Sequence, residues 1–181
     1  MRIFFVSYLF LVLVCFHATA QYFSTSTGVV SFFSKTPIED ISATHKTASS
    51  IINTANNQIA VQIAIKQFTF PNALMQEHFN ENYMESEKYP QATFAGKINE
   101  KIDFTVLGVY PVTATGKLKM HGVEQDKTLK GTLEVTATGI ILKADFEVAL
   151  ADYKIDIPKI VFAKIAEKIQ VKIDFLYVAK K

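Results

Sequence analysis

The chain reads as an all-β protein: an antiparallel up-and-down barrel of about eight strands carrying one or two short helices. Three observations lead there. Apolar and polar residues alternate with a period of two in segment after segment, the pattern of a strand with one buried face and one wet face. Short links with turn chemistry join these segments, so neighbours must run antiparallel. A sheet of this many strands also leaves exposed edges unless it closes on itself.

Val29–Phe33 and Ala48–Asn53 are short early strands, and Ile59, Val61, Ile63 and Ile65 mark a third. The segment Met75–Gly96 then breaks the alternation. Leu74, His78 and Phe79 share one helical face, Tyr83 follows at i+4 from Phe79, and Glu77, Glu81 and Glu85 recur on the other face as an ordinary solvated surface. This predicts a helix over Asn72–Met84, which Tyr89-Pro90 brings to an end because proline pushes the residue before it towards extended backbone. Such a helix in a β chain is expected to cover something, a barrel mouth or a sheet face.

Ala92–Ile98 resumes as a strand, and a hairpin at Asn99-Glu100-Lys101 leads to another with Ile102, Phe104 and Val106 on one face. Val112–Met120 follows, then a loop at Gly122–Asp126, a strand over Leu129–Ala137, a turn at Thr138-Gly139 and a strand over Leu142–Leu150. A second short helix is expected at Pro158–Lys168, with Pro158 in its first turn. Lys168–Val178 is the cleanest strand: Ile169, Val171, Ile173, Phe175 and Tyr177 alternate with Lys168, Gln170, Lys172 and Asp174. It is long enough to close the meander onto an early strand.

The first 20 residues read as a cleaved signal peptide. Arg2 precedes the apolar run Ile3–Phe16, and Ala18-Thr19-Ala20 is a small-residue cleavage site. The run is short against the roughly 20 residues of a membrane span. Val14 stands before Cys15 where lipid attachment would want a small residue. Cleavage leaves residues 21–181 as a single exported domain, periplasmic or secreted, without cysteine and so without disulfide or thiol chemistry. Beyond residue 20 the chain has 18 lysines against 17 acids and no arginine, a balance that argues against a nucleic-acid partner.

Enzymatic motifs are missing. His45, His78 and His121 fall in separate elements with no paired-ligand spacing, and there is no G-x-S-x-G elbow or phosphate-binding glycine loop. The sequence therefore predicts a non-enzyme with no metal or cofactor. A barrel of about eight strands either fills with side chains or leaves room for one small ligand. Ala114, Gly116, Gly131, Ala137 and Ala144 stand on inward faces beside Phe104, Met120, Leu133 and Phe146, which fits an elongated apolar cavity or a close-packed, tapering core equally well. With 15 phenylalanines and no tryptophan, such a cavity would suit a hydrocarbon-like ligand. The lysines set among apolar residues in Ile155–Lys172 allow transient contact with a membrane surface, although a wet strand or helix face explains them as well.

Four motifs in order carry a resemblance. They are Phe68-x-Phe70, Met75-Gln76-Glu77-His78-Phe79, Tyr89-Pro90-x-Ala92-Thr93-Phe94 and Thr115-Gly116-x-Leu118-x-Met120-His121-Gly122-Val123. Together they resemble the YceI-like family over roughly residues 22–178. Two places depart from its pattern: Gly28–Phe32 lacks the family's frequent tryptophan, and Pro71-Asn72-Ala73 replaces an arginine–aspartate pair. The resemblance implies an exported, lipocalin-like barrel that binds a polyisoprenoid, isoprenoid quinone or similar lipid in its interior. The candidate ligand contacts are then Phe70, His78, Phe79, Tyr83, Phe94, Phe104, Met120, Leu133 and Phe146. The competing expectation is a ligand-free envelope interaction or stress protein with a filled core.

Overall fold

A computed structural model describes residues 22–158 and 163–180. Eight antiparallel strands close into one up-and-down barrel in sequence order: β1 (Tyr22–Lys35), β2 (Asp40–Asn53), β3 (Gln58–Ala64), β4 (Gln91–Ile98), β5 (Gly108–Met120), β6 (Val123–Val135), β7 (Ile140–Ala149) and β8 (Lys168–Ala179). The early strand that receives β8 is β1, through pairs such as Val30–Ile173 and Phe32–Val171. Closure leaves no sheet edge among these strands.

The turns follow from their residues. Met120 pairs with Val123 across His121-Gly122, and both central residues have positive φ, 49° and 74°, as a type I′ hairpin requires. The expected loop at Gly122–Asp126 is thus only this two-residue turn, and β6 begins at Val123. Thr36 and Thr136 make matching four-residue turns: each hydroxyl accepts an amide three residues on and donates to that residue's carbonyl. Ala137 lies exposed in the second of these turns rather than inside the barrel.

The expected strand Ile102–Val106 and the hairpin before it do not form. Asp103 accepts hydrogen bonds from the Thr105 amide and hydroxyl, at 2.9 and 2.6 Å, and so bends the chain into a local turn. Glu100 meanwhile accepts from the Thr113 amide at 2.7 Å and holds the connector against β5. Ile102 and Phe104 become a plug over one end of the barrel rather than a strand face. Residues 159–162 of the expected helix at Pro158–Lys168 lie outside the described residues, and Lys168 is already the first residue of β8.

The two ends of the barrel differ. The end crossed by the β2–β3, β4–β5 and β6–β7 links is solid. Ile52, Ile98, Leu133, Ile140, Phe175 and Tyr177 are almost wholly buried there, and the Tyr177 hydroxyl lies 2.8 Å from the Ser50 hydroxyl. Burial pushes the Tyr177 phenol far up. At the waist the inward side chains shrink. Gly96 faces Gly116 across β4–β5, and a Cβ on Gly116 would stand 2.3 Å from the Ala95 carbonyl oxygen and 2.4 Å from Gly96 Cα. Both are backbone atoms that cannot swing away. Gly116→Ala is expected to cost about 1–3 kcal/mol, read as a lower urea midpoint at unchanged slope.

Candidate functional site

At the other end the barrel is hollow. A cavity of about 410 Å³ opens between the ends of the strands and the β3–β4 connector. Strand positions Val30, Phe32, Ile63, Leu118, Met120, Phe146, Val148 and Val171 form its walls. The volume lies in the lower part of the roughly 300–1,000 Å³ range of small-molecule sites. A smaller chamber of about 70 Å³ continues below it, walled by Phe94, Ala114, Gly131, Ala144 and others. A broader crevice, on the outer side of the connector and lined by Lys66, Glu77, Glu81 and Glu87, shares only Phe70 with the barrel cavity.

The cover is shorter than a 13-residue helix over Asn72–Met84 would be. Asn72 caps α1 (Ala73–His78), its side-chain oxygen accepting from the Leu74 and Met75 amides at 2.8 and 3.3 Å. The chain then widens into a π-helical turn, Phe79–Tyr83, in which the Met84 amide donates to the Phe79 carbonyl. Glu85, at φ 42°, ends it. The widening shifts the packed face: Met75, Phe79 and Tyr83 are partly buried and Met84 is buried, while Leu74 and His78 stay exposed at the cavity rim.

Phe79 fastens this cover. Its ring centroid lies 5.0 Å from Phe70, 5.4 Å from Phe32 and 5.7 Å from Phe68, an aromatic cluster joining the helical segment to β1 and to the Phe68–Phe70 stretch. A second fastening is polar. His121 Nε2 lies 2.9 Å from Glu85 Oε2, and its Nδ1 lies 3.0 Å from the Tyr153 carbonyl oxygen. Three connectors at the mouth therefore meet at one imidazole, with Tyr89 edge-on to it at 4.7 Å. Glu85, expected on a solvated face, is still partly exposed there but also makes this contact. With both ring nitrogens engaged, His121 has none left for a substrate.

His45 is fully buried beside Phe68, its Nδ1 accepting from the Thr47 amide at 3.2 Å. Burial holds the imidazole below its ordinary value of 6.5, opposed more weakly by the Ala64 carbonyl. An unfolded chain takes up a proton below pH 6.5 that the native ring refuses, so stability present above that pH is lost as the pH falls towards the lowered native value. His45→Gln keeps an acceptor for Thr47 but no titration. The wild-type Tm is expected to drop more steeply than the variant's between that pH and about pH 5.

Of the sequence-derived ligand contacts, Phe70, His78, Phe79, Tyr83, Met120 and Phe146 line the larger cavity, and Phe94 lines the smaller one with Phe146. Phe104 and Leu133 line neither: Phe104 sits in the plugging connector and Leu133 is fully buried in the solid end. Sequence reasoning missed a polar pair at the rim. Lys164 Nζ stands 3.7 Å from Glu39 Oε2, linking the β7–β8 connector to the β1–β2 turn, and both residues line the cavity. Burial raises the Tyr83 phenol at the same rim. Among the described residues no three His, Cys, Asp or Glu side chains converge as a metal site would need.

The fold has solved counterparts. A polyisoprenoid binding domain from Saccharophagus degradans implicated in plant cell wall breakdown is similar at 17% identity and a TM-score of 0.75, covering 90% of this chain and all of its own. Burkholderia cenocepacia BcnA is similar at 17% identity and a TM-score of 0.70, over 83% of this chain and 96% of its own. A Campylobacter jejuni YceI protein follows at 22% and 0.62, over 77% of this chain and 85% of its own. No curated protein matches the chain in sequence. The YceI-like domain pattern matches residues 14–177, nearly the whole chain. The chain therefore belongs to the YceI-like family.

Proposed function

We propose that the protein is a non-enzymatic, exported carrier that sequesters a long-chain apolar amphiphile, a polyisoprenoid, isoprenoid quinone or similar lipid, inside the barrel. The observation that carries this reading is the apolar cavity of about 410 Å³ beneath the helical cover. Apart from the buried Ser34 hydroxyl its walls are hydrocarbon, and its other polar groups sit at the rim, with Asn72, His78 and Tyr83 on the cover and Glu39 and Lys164 across from them. That division suits a molecule with one polar end and one apolar tail. Moving the tail out of water contributes about 0.8 kcal/mol per CH₂, so ten carbons supply about 8 kcal/mol before ordering costs, the scale of micromolar binding.

Membership of the family and the likeness to a polyisoprenoid binding domain support the ligand class. Export rests on the first 20 residues of the sequence, which lie outside the described ones. The alternative, a filled barrel serving only as an interaction module, is favoured by the packing of the solid end but needs the same packing at the mouth.

Titration of delipidated protein with the fluorescent fatty acid parinaric acid, displaced by farnesol, tests the reading. Met120→Trp, which puts a larger rigid ring into the cavity, is expected to weaken binding at least about tenfold with little change in Tm. Absence of saturable binding to the wild-type protein would count against the carrier.

A further inference from the structure

The two chambers of the barrel are stacked, and they share walls. Phe146, on β7, lines both, together with Val30, Ile63, Leu118 and Val171. It has the largest side chain of the five. It is only partly buried, because empty space lies on both its mouth side and its inner side. Phe32, Phe68, Phe70 and Phe79 hold one another in the mouth cluster, whereas no ring among the described residues stacks on Phe146. A side chain with voids above and below forfeits dispersion contacts and is weakly held in one rotamer.

Just below it the wall turns thin. Phe146 pairs with Val171, and the next inward pair on the same strands is Ala144 with Ile173. Ala144 also faces Gly131 on β6. Gly131 and Ala144, with Ala114, carry almost no side chain and leave room for the lower chamber among bulkier neighbours such as Phe94 and Ile173. Below that level Leu133, Phe175 and Tyr177 close the barrel.

We infer that Phe146 is the depth gate of the barrel: its ring divides the main cavity from the smaller chamber beneath and so sets the length of apolar chain the protein holds. This rests on the carrier reading above and adds a specificity determinant to it. The main chamber takes the proximal part of the chain. A longer tail enters the lower chamber only when the ring swings aside.

The test is a chain-length profile on delipidated protein with geraniol, farnesol and geranylgeraniol, each one isoprene unit longer than the last. Wild-type affinity is expected to rise along the series and then level off. Phe146→Ala, and Phe146→Leu as the milder variant should the first fold poorly, are expected to keep rising and to gain at least about tenfold for geranylgeraniol over wild type. The ratio of geranylgeraniol to geraniol affinity should therefore rise in the variants, whatever the truncation costs both alcohols in the main chamber. Adding Ala144→Leu to Phe146→Leu refills the lower chamber and is expected to erase the gain. Variants that bind all three alcohols with the wild-type profile would overturn the gate. Failure of every alcohol to bind the wild type would instead remove the carrier reading, and the gate with it.

Discussion

Phe175→Ala is expected to cost about 3–5 kcal/mol, a large share of the 5–15 kcal/mol that holds a typical domain. The ring is fully buried in the solid end, 6.1 Å from Tyr177 and edge-on to it. It also packs against Gly28, where an added Cβ would come within 2.5 Å of Phe175 Cδ1. Gly28 sits at a register shift of β1, so the ring fills the space that the shift opens. Neither neighbour can collapse into the hole left by alanine, which is the condition for the full cavity penalty. Urea unfolding should show a much lower midpoint at an unchanged slope. The matching truncation at the mouth, Phe146→Ala, should cost clearly less, because its ring already borders empty space. Equal losses at the two positions would contradict a barrel solid at one end and hollow at the other.

Loss of the imidazole at His121 is expected to loosen the mouth without unfolding the barrel. Asparagine is the informative replacement, because residue 121 has φ 49° and asparagine tolerates the left-handed region better than alanine. His121→Asn leaves the Tyr153 carbonyl and the Glu85 carboxylate without their shared partner. A hydrogen bond to a charged group contributes about 1.5–3 kcal/mol, so local opening of the connectors should become roughly 10- to 150-fold more frequent. Hydrogen exchange should quicken at the Ser86, Tyr89 and Ile155 amides, which are bonded within those connectors. Amides of β8 paired with β1 should keep their protection. Uniform acceleration across both regions would mean that His121 supports the whole fold rather than the cover.

Much of this architecture is legible in the sequence, and the places where it is not have physical causes. Alternation marks β3, β4, β7 and β8 well, because each has one face on the interior and one in water. It fails at Ile102–Val106, where the same spacing of apolar residues arises from a plug bent by Asp103. It also underestimates β1 and β2, whose outer stretches bury small or polar residues such as Thr25, Ser34, Ala43 and His45, which leave no apolar alternation to read. Periodicity says which side chains point inward but not at what depth. Leu133 and Phe146 look alike in sequence, yet one is locked in the solid end and the other stands between two chambers.

The aromatic face of the cover can be read from helical spacing, but the π-helical turn that moves the packed face onto Met75, Phe79 and Tyr83 cannot. Contacts between distant segments are the least accessible. Nothing near Glu85 announces His121, and nothing near Glu39 announces Lys164, because closure of the barrel alone brings them together.

The proposed carrier function requires an apolar chain inside the hollow end. Organic extraction of protein purified under native conditions from its own host, followed by mass spectrometry of the extract, tests it most directly. The expected extract contains an amphiphile with one polar end and a long apolar tail, close to one per barrel and depleted in a Met120→Trp preparation. Protein that is folded and pure yet releases no such lipid would contradict it.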